Sequence, residues 1–566
     1  MRCRLHTLLA LGCVGLRAGS AFAAWPSDAA VNVPISTAAG RQSQSVITSD
    51  GSGGAIIAWL DDRIGTYYAQ RVSAAGNTLW ATDGVSLCNA GSNKVGARIV
   101  ADALGGAIIT WADQRGGLNY DIYAQRVDST GALLWVPQGA AVCALGGTQA
   151  NPALVADGSG GAIFTWYDLR SGPNTHLYAQ RMSAYSAPQW TANGVAVCTA
   201  AGNQAAPRMS SDGEGGTIIT WIDSRNGNDD IYAQRLDSSG IAQWQIDGVP
   251  LCTAVDDQQY PVIVADGSGG ALVAWEDQRK GTELDIYAQR VSAAGVPQWT
   301  TDGVPVCAAT GDQAIPQIDS DGAGGAVVTW SDYRPGARFG VYAQRIDASG
   351  APQWAVNGVS VSSVVSHKWD PCIASDGSGG AIMSWSDDQT GRADIYAQRL
   401  DASGSPRWGA SGLAVCTAPQ IQFYPSIVSD GAGGIIDAWT DARSDTVDTD
   451  VYAQRVLSNG QPGGAVASVP RGTSSRLVFD PVRPNPAVAT STLEFTIPHD
   501  LAVTLIVLDA SGRRVRVLAS GMFAAGAHSL VWDLRDQAGN PVTAGLYFVR
   551  LAAGSEVRTQ RVVALR

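Results

Sequence analysis

The stretch DGSGGALVAWEDQR, residues 266–279, gathers Asp266, Glu276, Asp277 and Arg279 into one short run. Carboxylates so spaced suit general acid–base catalysis, calcium binding or a carboxylate–guanidinium pair. The run, with small edits, occurs eight times. Its core, Trp-x-Asp-x-Arg, spans Trp59/Asp61/Arg63 in the first copy and Trp439/Asp441/Arg443 in the last; the seventh keeps Trp385 and Asp387 but has Gln389 in place of Arg. A reaction at one mouth needs one set of residues, not eight, so repetition favours Asp–Arg pairs that hold loops.

Other chemistries fare no better. DGSGG lacks the alternating carboxylates of a calcium loop. A glycosidase needs two carboxylates flanking one bond, and Glu276 with Asp277, Asp256 with Asp257, and Asp437 are the acids available without a unique pair standing out. Histidine is too scarce for a Ser–His–Asp triad, with two of its five copies, His499 and His528, near the C-terminus. Cys88, Cys143, Cys198, Cys252, Cys307 and Cys416 follow the repeat, and neighbouring copies should lie beyond disulfide reach. They read as buried small groups. No catalytic residue, metal ligand or cofactor is assigned.

The elements that carry these residues follow from the period. YAQR begins at Tyr68, Tyr123, Tyr178, Tyr232, Tyr287, Tyr342, Tyr396 and Tyr452, spacings of 54 to 56 residues. Each unit reads as four short strands, for example PVIVADG, GGALVAW, DIYAQRV and QWTTDGVPVC, the make-up of a propeller blade. Pro34, Pro250 and Pro305 in the fourth strand place it at an outer edge, because proline cannot donate to a ladder. The last unit ends in VLSNGQPGG without its fourth strand, and Trp25 with VNVPIS supplies the missing half. The expected fold is all-β: an eight-bladed β-propeller closed by the N-terminal strand, followed by a C-terminal Ig-like β-sandwich.

The expected boundaries are a signal peptide over 1–23, the propeller over 24–460, a linker over 461–475 and the sandwich over 476–566. The signal rests on Arg2 and Arg4, an apolar run from Leu8 to Leu16 and the Ala21-Phe22-Ala23 exit. A net charge of −12 argues against nucleic acid as a partner. The loops joining strands two and three differ between units and emerge on the same face as those leading into the next unit, while the opposite face carries uniform turns. Difference marks the candidate binding face. There His176, Lys280, Arg338, His367, Lys368 and Trp369 break the symmetry and are the candidate ligand-binding residues.

Asp347, Gly350 and Trp354, in a D-x-x-G…W run, faintly resemble the Asp-box of sialidases, with each spacing one residue longer. The tail resembles the FlgD-type Ig-like domain and the C-terminal sorting domains of the Por (type IX) secretion system. The residues in register are Asp509, Gly512, Trp532, Asp533, Gly539, Gly545, Tyr547 and Phe548. That resemblance implies export and a dealing with outer-membrane secretion machinery. The chain is therefore expected to be a monomeric, exported or surface-displayed, non-catalytic propeller that binds an extracellular ligand such as a glycan. The alternative is a sialidase-like glycan-cleaving enzyme on the variable face.

Overall fold

In the computed structural model the described residues are 25–334, 338–444, 447–463, 478–479, 482, 485, 487, 490–497, 501–510, 512–523, 526–537, 540–553 and 556–565. The signal segment expected at 1–23 and most of the linker expected at 461–475 lie outside them. The chain divides into two compact units, Met1–Ala465 and Val466–Arg566. Every regular element among the described residues is a β-strand, and none is a helix long and apolar enough to cross a membrane.

The first unit holds eight four-stranded antiparallel sheets among its described residues. We number them 1 to 8 by their first strands, from Gln42–Ser49 in sheet 1 to Gln422–Ser429 in sheet 8. Sheet 5 runs Gln258–Ala265, Ala271–Asp277, Asp285–Val291 and Val304–Cys307 in spatial order. Its second strand, apolar from Ala271 to Trp275, is wholly buried because both faces are covered. The fourth strand, with Pro250 in sheet 4 and Pro305 in sheet 5, forms the edge, where a missing N–H costs least. Sheet 8 takes its fourth strand, Val33–Ser36, from the other end of the unit. The first strand of each sheet lies against the first strands of both neighbours, and that of sheet 8 lies against that of sheet 1. The arrangement is propeller-like.

The joints between sheets repeat as well. In sheet 4, Arg235 of YAQR and the outer Trp244 both donate to the carbonyl of Ala293 in sheet 5, at 3.3 and 2.9 Å. In sheet 8 the same two bonds run from Arg455 and Trp25 to Ala74 O of sheet 1, at 3.1 and 3.0 Å. Trp25 is buried and stands where the outer Trp of sheet 8 would be. The tight turn between the first two strands needs glycine: a Cβ on Gly270 would sit 2.2 Å from Val291 O. All seven cysteines among the described residues are free, and burial pushes the Cys198 thiol up to about 12, so it is an inert packing group.

The second unit pairs a sheet of Val478–Phe479, Ser491–Ile497 and Gly526–Trp532 with one of Arg514–Phe523, Leu501–Asp509, Gly545–Ala553 and Glu556–Ala564. Their inner faces share one core, including Phe495, Leu505, Trp532 and Leu551.

Candidate functional site

The repeated Trp-x-Asp-x-Arg run forms a closed cluster. In sheet 5 Trp275 Nε1 donates to Asp277 Oδ2 at 2.8 Å, and Arg279 donates to both carboxylate oxygens from Nε and Nη2, at 2.7 and 2.6 Å. The guanidinium also donates to Asp302 O and lies 3.8 Å from the ring centroid of Tyr287, the Tyr of YAQR. Charge-assisted bonds to a fully buried carboxylate, capped by a cation–π contact, tie two strands and two loops together. The Arg-over-Tyr contact is present in seven sheets. Sheet 7 has Gln389 instead, and there Lys368 Nζ lies 3.6 Å from Asp387 Oδ2.

The remaining acids are held in separate places. Glu276, next to Asp277 on one strand and so facing the other way, is buried; burial pushes its carboxyl up to about 7, and Oε1 accepts Ile315 N at 2.6 Å. Asp257 accepts Asp229 N at 3.0 Å. Asp437 lies inside sheet 8, where burial raises it to about 8 and Ser384 of sheet 7 donates to it. The Asp-box-like run is a turn: Asp347 accepts Ser349 N and Ala351 N, and Gly350, at φ +88°, packs so tightly on Trp299 that a Cβ would meet its ring at 2.9 Å.

One feature repeats in backbone and not in side chain. Every first strand carries a β-bulge near its start, marked by a register shift, as between Gln259 and Val262. The bulged residue adopts a left-handed conformation in all eight sheets: Gln44, Gly96, Asn151, Ala206, Tyr260, Ile315, Asp370 and Tyr424, with φ from 48° to 70°. Seven of the eight are not glycine, and for β-branched Ile315 the conformation is a strained outlier. In sheets 1–4 the residue is Gln, Gly, Asn or Ala. In sheets 5, 6 and 8 it is a large apolar or aromatic side chain about half exposed: Tyr260 56%, Ile315 49% and Tyr424 53%.

A cleft of about 380 Å³ between sheets 7 and 8 is lined by Trp369, Asp370, Ser386, Ala393, Ile421, Phe423 and Tyr424. Trp369 stacks on His367 at 5.6 Å, and His367 meets Phe339, which packs on Tyr333. Phe423 and Tyr424 meet edge to face at 5.0 Å. The Asp370 carboxyl is raised by burial, and His367 Nδ1 is buried without a hydrogen-bond partner.

Of the six residues singled out in the sequence, three come together: Trp369 in the cleft, His367 stacked upon it, and Arg338 beside them, 3.8 Å from Asp388, which also accepts His367 N. His176 bonds Gln204 in sheet 4 and Lys280 pairs with Asp285 in sheet 5, both apart from the cleft. Lys368 is a correction to the sequence reading. Expected in a variable loop, it is buried, with Nζ donating to Val364 O and Ser366 Oγ, because it occupies the strand-start position filled by glutamine in most sheets. Sequence reading missed Phe339, Asp370, Phe423 and Tyr424; the following proline, in KWDPC and QFYPS, marks only Asp370 and Tyr424, and only as positions turned away from a helix.

The tail is the part that a family model matches. Residues 485–556 match the FlgD Ig-like domain. No curated protein matches the chain. Among solved structures, a protein of unknown function from Dyadobacter fermentans is similar at 9% identity and TM-score 0.36, over 65% of this chain and 95% of its own. An endo-arabinase from Bacteroides thetaiotaomicron is similar at 12% and 0.27, over 48% and 98%. PorZ of Porphyromonas gingivalis, described as a surface component of the type-IX secretion system, is similar at 12% and 0.21, over 94% and 82%. Within the FlgD Ig-like domain the residues in register do structural work: Trp532 Nε1 donates to Arg535 O, Tyr547 Oη to Thr543 O, and Asp509 accepts Arg513 N in a turn.

Proposed function

We propose that residues 24–460 form one closed eight-bladed propeller that binds an extracellular glycan, without cleaving it, at the mouth of sheets 5–8. A linker over 461–475 joins it to an Ig-like module over 476–566, which serves secretion or anchoring at the cell surface after removal of a signal peptide over 1–23. The observation that carries the binding role is the bulge ring, with strain spent at one rim on presenting Tyr260, Ile315, Asp370 and Tyr424, the last two beside Trp369. Sugar rings offer C–H faces to aromatic planes and hydroxyls to polar groups, and the cleft supplies both, with Asp370, Ser386 and the unpartnered His367 Nδ1 among the latter. Arg338 belongs to the same rim; His176 and Lys280 would touch only a ligand long enough to cross the mouth. Export is supported by the signal-like start and the FlgD Ig-like match.

The non-catalytic reading rests on the acids. The Asp of each Trp–Asp–Arg cluster is engaged on both oxygens, and Asp437 is shut inside the sheets. The cleaving alternative draws on Glu276 and Asp370, whose carboxyls burial raises toward the range of a general acid. A glycan array read for both capture and released sugar separates the two. Capture that Trp369→Ala and Tyr424→Ala each weaken at least tenfold is the expected result; released product that Glu276→Gln or Asp370→Asn abolishes would overturn it.

A further inference from the structure

Behind the mouth, the first strands line the axis of the ring, each against its neighbours on both sides. Just past the bulge, the residues in equivalent register on sheets 2, 3 and 4 are Arg98, Ala153 and Arg208, paired with Thr110, Thr165 and Thr220 of the second strands. On the other five sheets that position is uncharged: Val46, Val262, Gln317, Cys372 and Ser426. Two arginines thus stand on either side of a buried alanine, on strands that face the centre.

Neither has a carboxylate partner among the described residues. Each guanidinium makes one hydrogen bond, the same in both: Nη1 donates to the preceding carbonyl, Ala97 O at 2.9 Å and Pro207 O at 3.1 Å, which the bulge leaves out of the ladder. A guanidinium has five N–H donors, so most on each remain unused. Every other arginine of YAQR or the Trp–Asp–Arg clusters is matched to an aspartate, in a chain with 50 acidic residues against 38 basic ones. Burial lowers both of these arginines, and the like charge of Arg98 adds to the lowering of Arg208, to about 10; a guanidinium keeps its charge at neutral pH, so the two disfavour each other. Asp319, an acid further along the first strand of sheet 6, is already bound by Ser320 N and Ser375 N.

Two half-buried like charges left without counter-ions on walls one sheet apart are costly to keep unless something negative sits between them. We propose that the channel of this unit binds a small oxoanion, a carboxylate, sulfate or phosphate group, held between Arg98 and Arg208 over Ala153. Planar guanidinium forks suit bidentate recognition of such a group. The group is either a free ion or the acidic end of a larger molecule, and the site stands whether or not the mouth binds a glycan.

The test uses the full chain in a low-salt buffer of bulky, weakly binding ions. Sulfate, phosphate, glucuronate and, as a neutral control, glucose are titrated by calorimetry. Saturable one-site binding of sulfate with Kd below about 1 mM is expected, weakened at least tenfold in Arg208→Gln and lost in the Arg98→Gln/Arg208→Gln double variant. Glucuronate binding more tightly than sulfate identifies the acidic end of a sugar as the source; sulfate or phosphate binding more tightly identifies a free ion. Melting supplies a readout that mere structural damage cannot mimic: without anion the double variant should melt above wild type, and with 10 mM sulfate below it. A wild-type crystal soaked in selenate should show one anomalous peak between the two guanidinium groups. No saturable binding by wild type, unchanged binding by the double variant, or no peak there would each overturn the proposal.

Discussion

The Trp–Asp–Arg clusters and the bulge ring are both built into the repeat, yet they repeat different things. In the clusters side chains recur along with the backbone, and every polar atom of the central aspartate is engaged. In the bulge ring only the backbone recurs: eight left-handed residues in one register carry seven different side-chain types. Identity of side chain follows where a fixed set of partners must be met; its absence follows where the partner is not part of the chain. Breaking a cluster should therefore cost stability, whereas altering the ring should change what is bound.

The largest effect is expected at a cluster. Asp277→Ala strips Trp275 Nε1 and Arg279 of their shared acceptor and leaves a guanidinium partly buried beside Tyr287, which should cost about 3–5 kcal/mol. Asp387→Ala in sheet 7, where the charge partner is Lys368 at 3.6 Å and no arginine stacks on Tyr396, should cost clearly less. Urea midpoints of the two variants measure the difference; equal losses would mean that the arginine adds nothing to the cluster.

Next comes Asp437, the polar exception on an apolar second strand. Its folded value of about 8 lies above an unfolded value of about 3.9, so folding takes up a proton between those limits. Its contribution is fully favourable below pH about 4 and is lost as pH rises through about 8. Asp437→Asn should match wild type near pH 4 and exceed it by up to about 5 kcal/mol at pH 8, seen as a flatter dependence of the urea midpoint on pH. A smaller gain is expected from Gln389→Arg, which completes the seventh cluster: an arginine over Tyr396 should add about 0.5–1 kcal/mol. Sheet 2 shows that the extra charge fits, because Lys94, Asp113 and Arg115 coexist there.

How far such features are legible in the sequence follows from the same contrast. The four-stranded unit, the turn glycines, the edge prolines and the buried Asp–Arg pairing can be read because each imposes a residue type. The halves of sheet 8 can be matched because Trp25 and VNVPIS carry the same pattern as the other fourth strands. The bulge cannot be read that way: Ala206, Tyr260 and Ile315 do not announce a left-handed conformation, and the following proline only steers its neighbour away from a helix. Lys368 misleads for a related reason. In SHKWDP it looks like loop, and only its register opposite Asp387 places it at the start of a strand, inside the fold.

The smallest effect discriminates best between scaffold and ring. Replacing a left-handed residue by glycine removes strain of about 1–2 kcal/mol but restores about 0.5–1 kcal/mol of chain entropy to the unfolded state. Ile315→Gly and Ala206→Gly should therefore each gain stability by about 0.5 kcal/mol, for the same backbone reason in opposite halves of the ring. The bond from Ile315 N to Glu276 survives the change, so the bulge itself stays in place. Binding should part the two variants: Ile315 presents a half-exposed apolar side chain on the sheet between those of Tyr260 and Asp370, whereas the Ala206 methyl offers a ligand almost nothing. Affinity measured on whichever glycan the array selects should fall severalfold in Ile315→Gly and hold in Ala206→Gly. Equal affinities would make the mouth as uniform in function as it is in backbone, and the division between its two halves would fail.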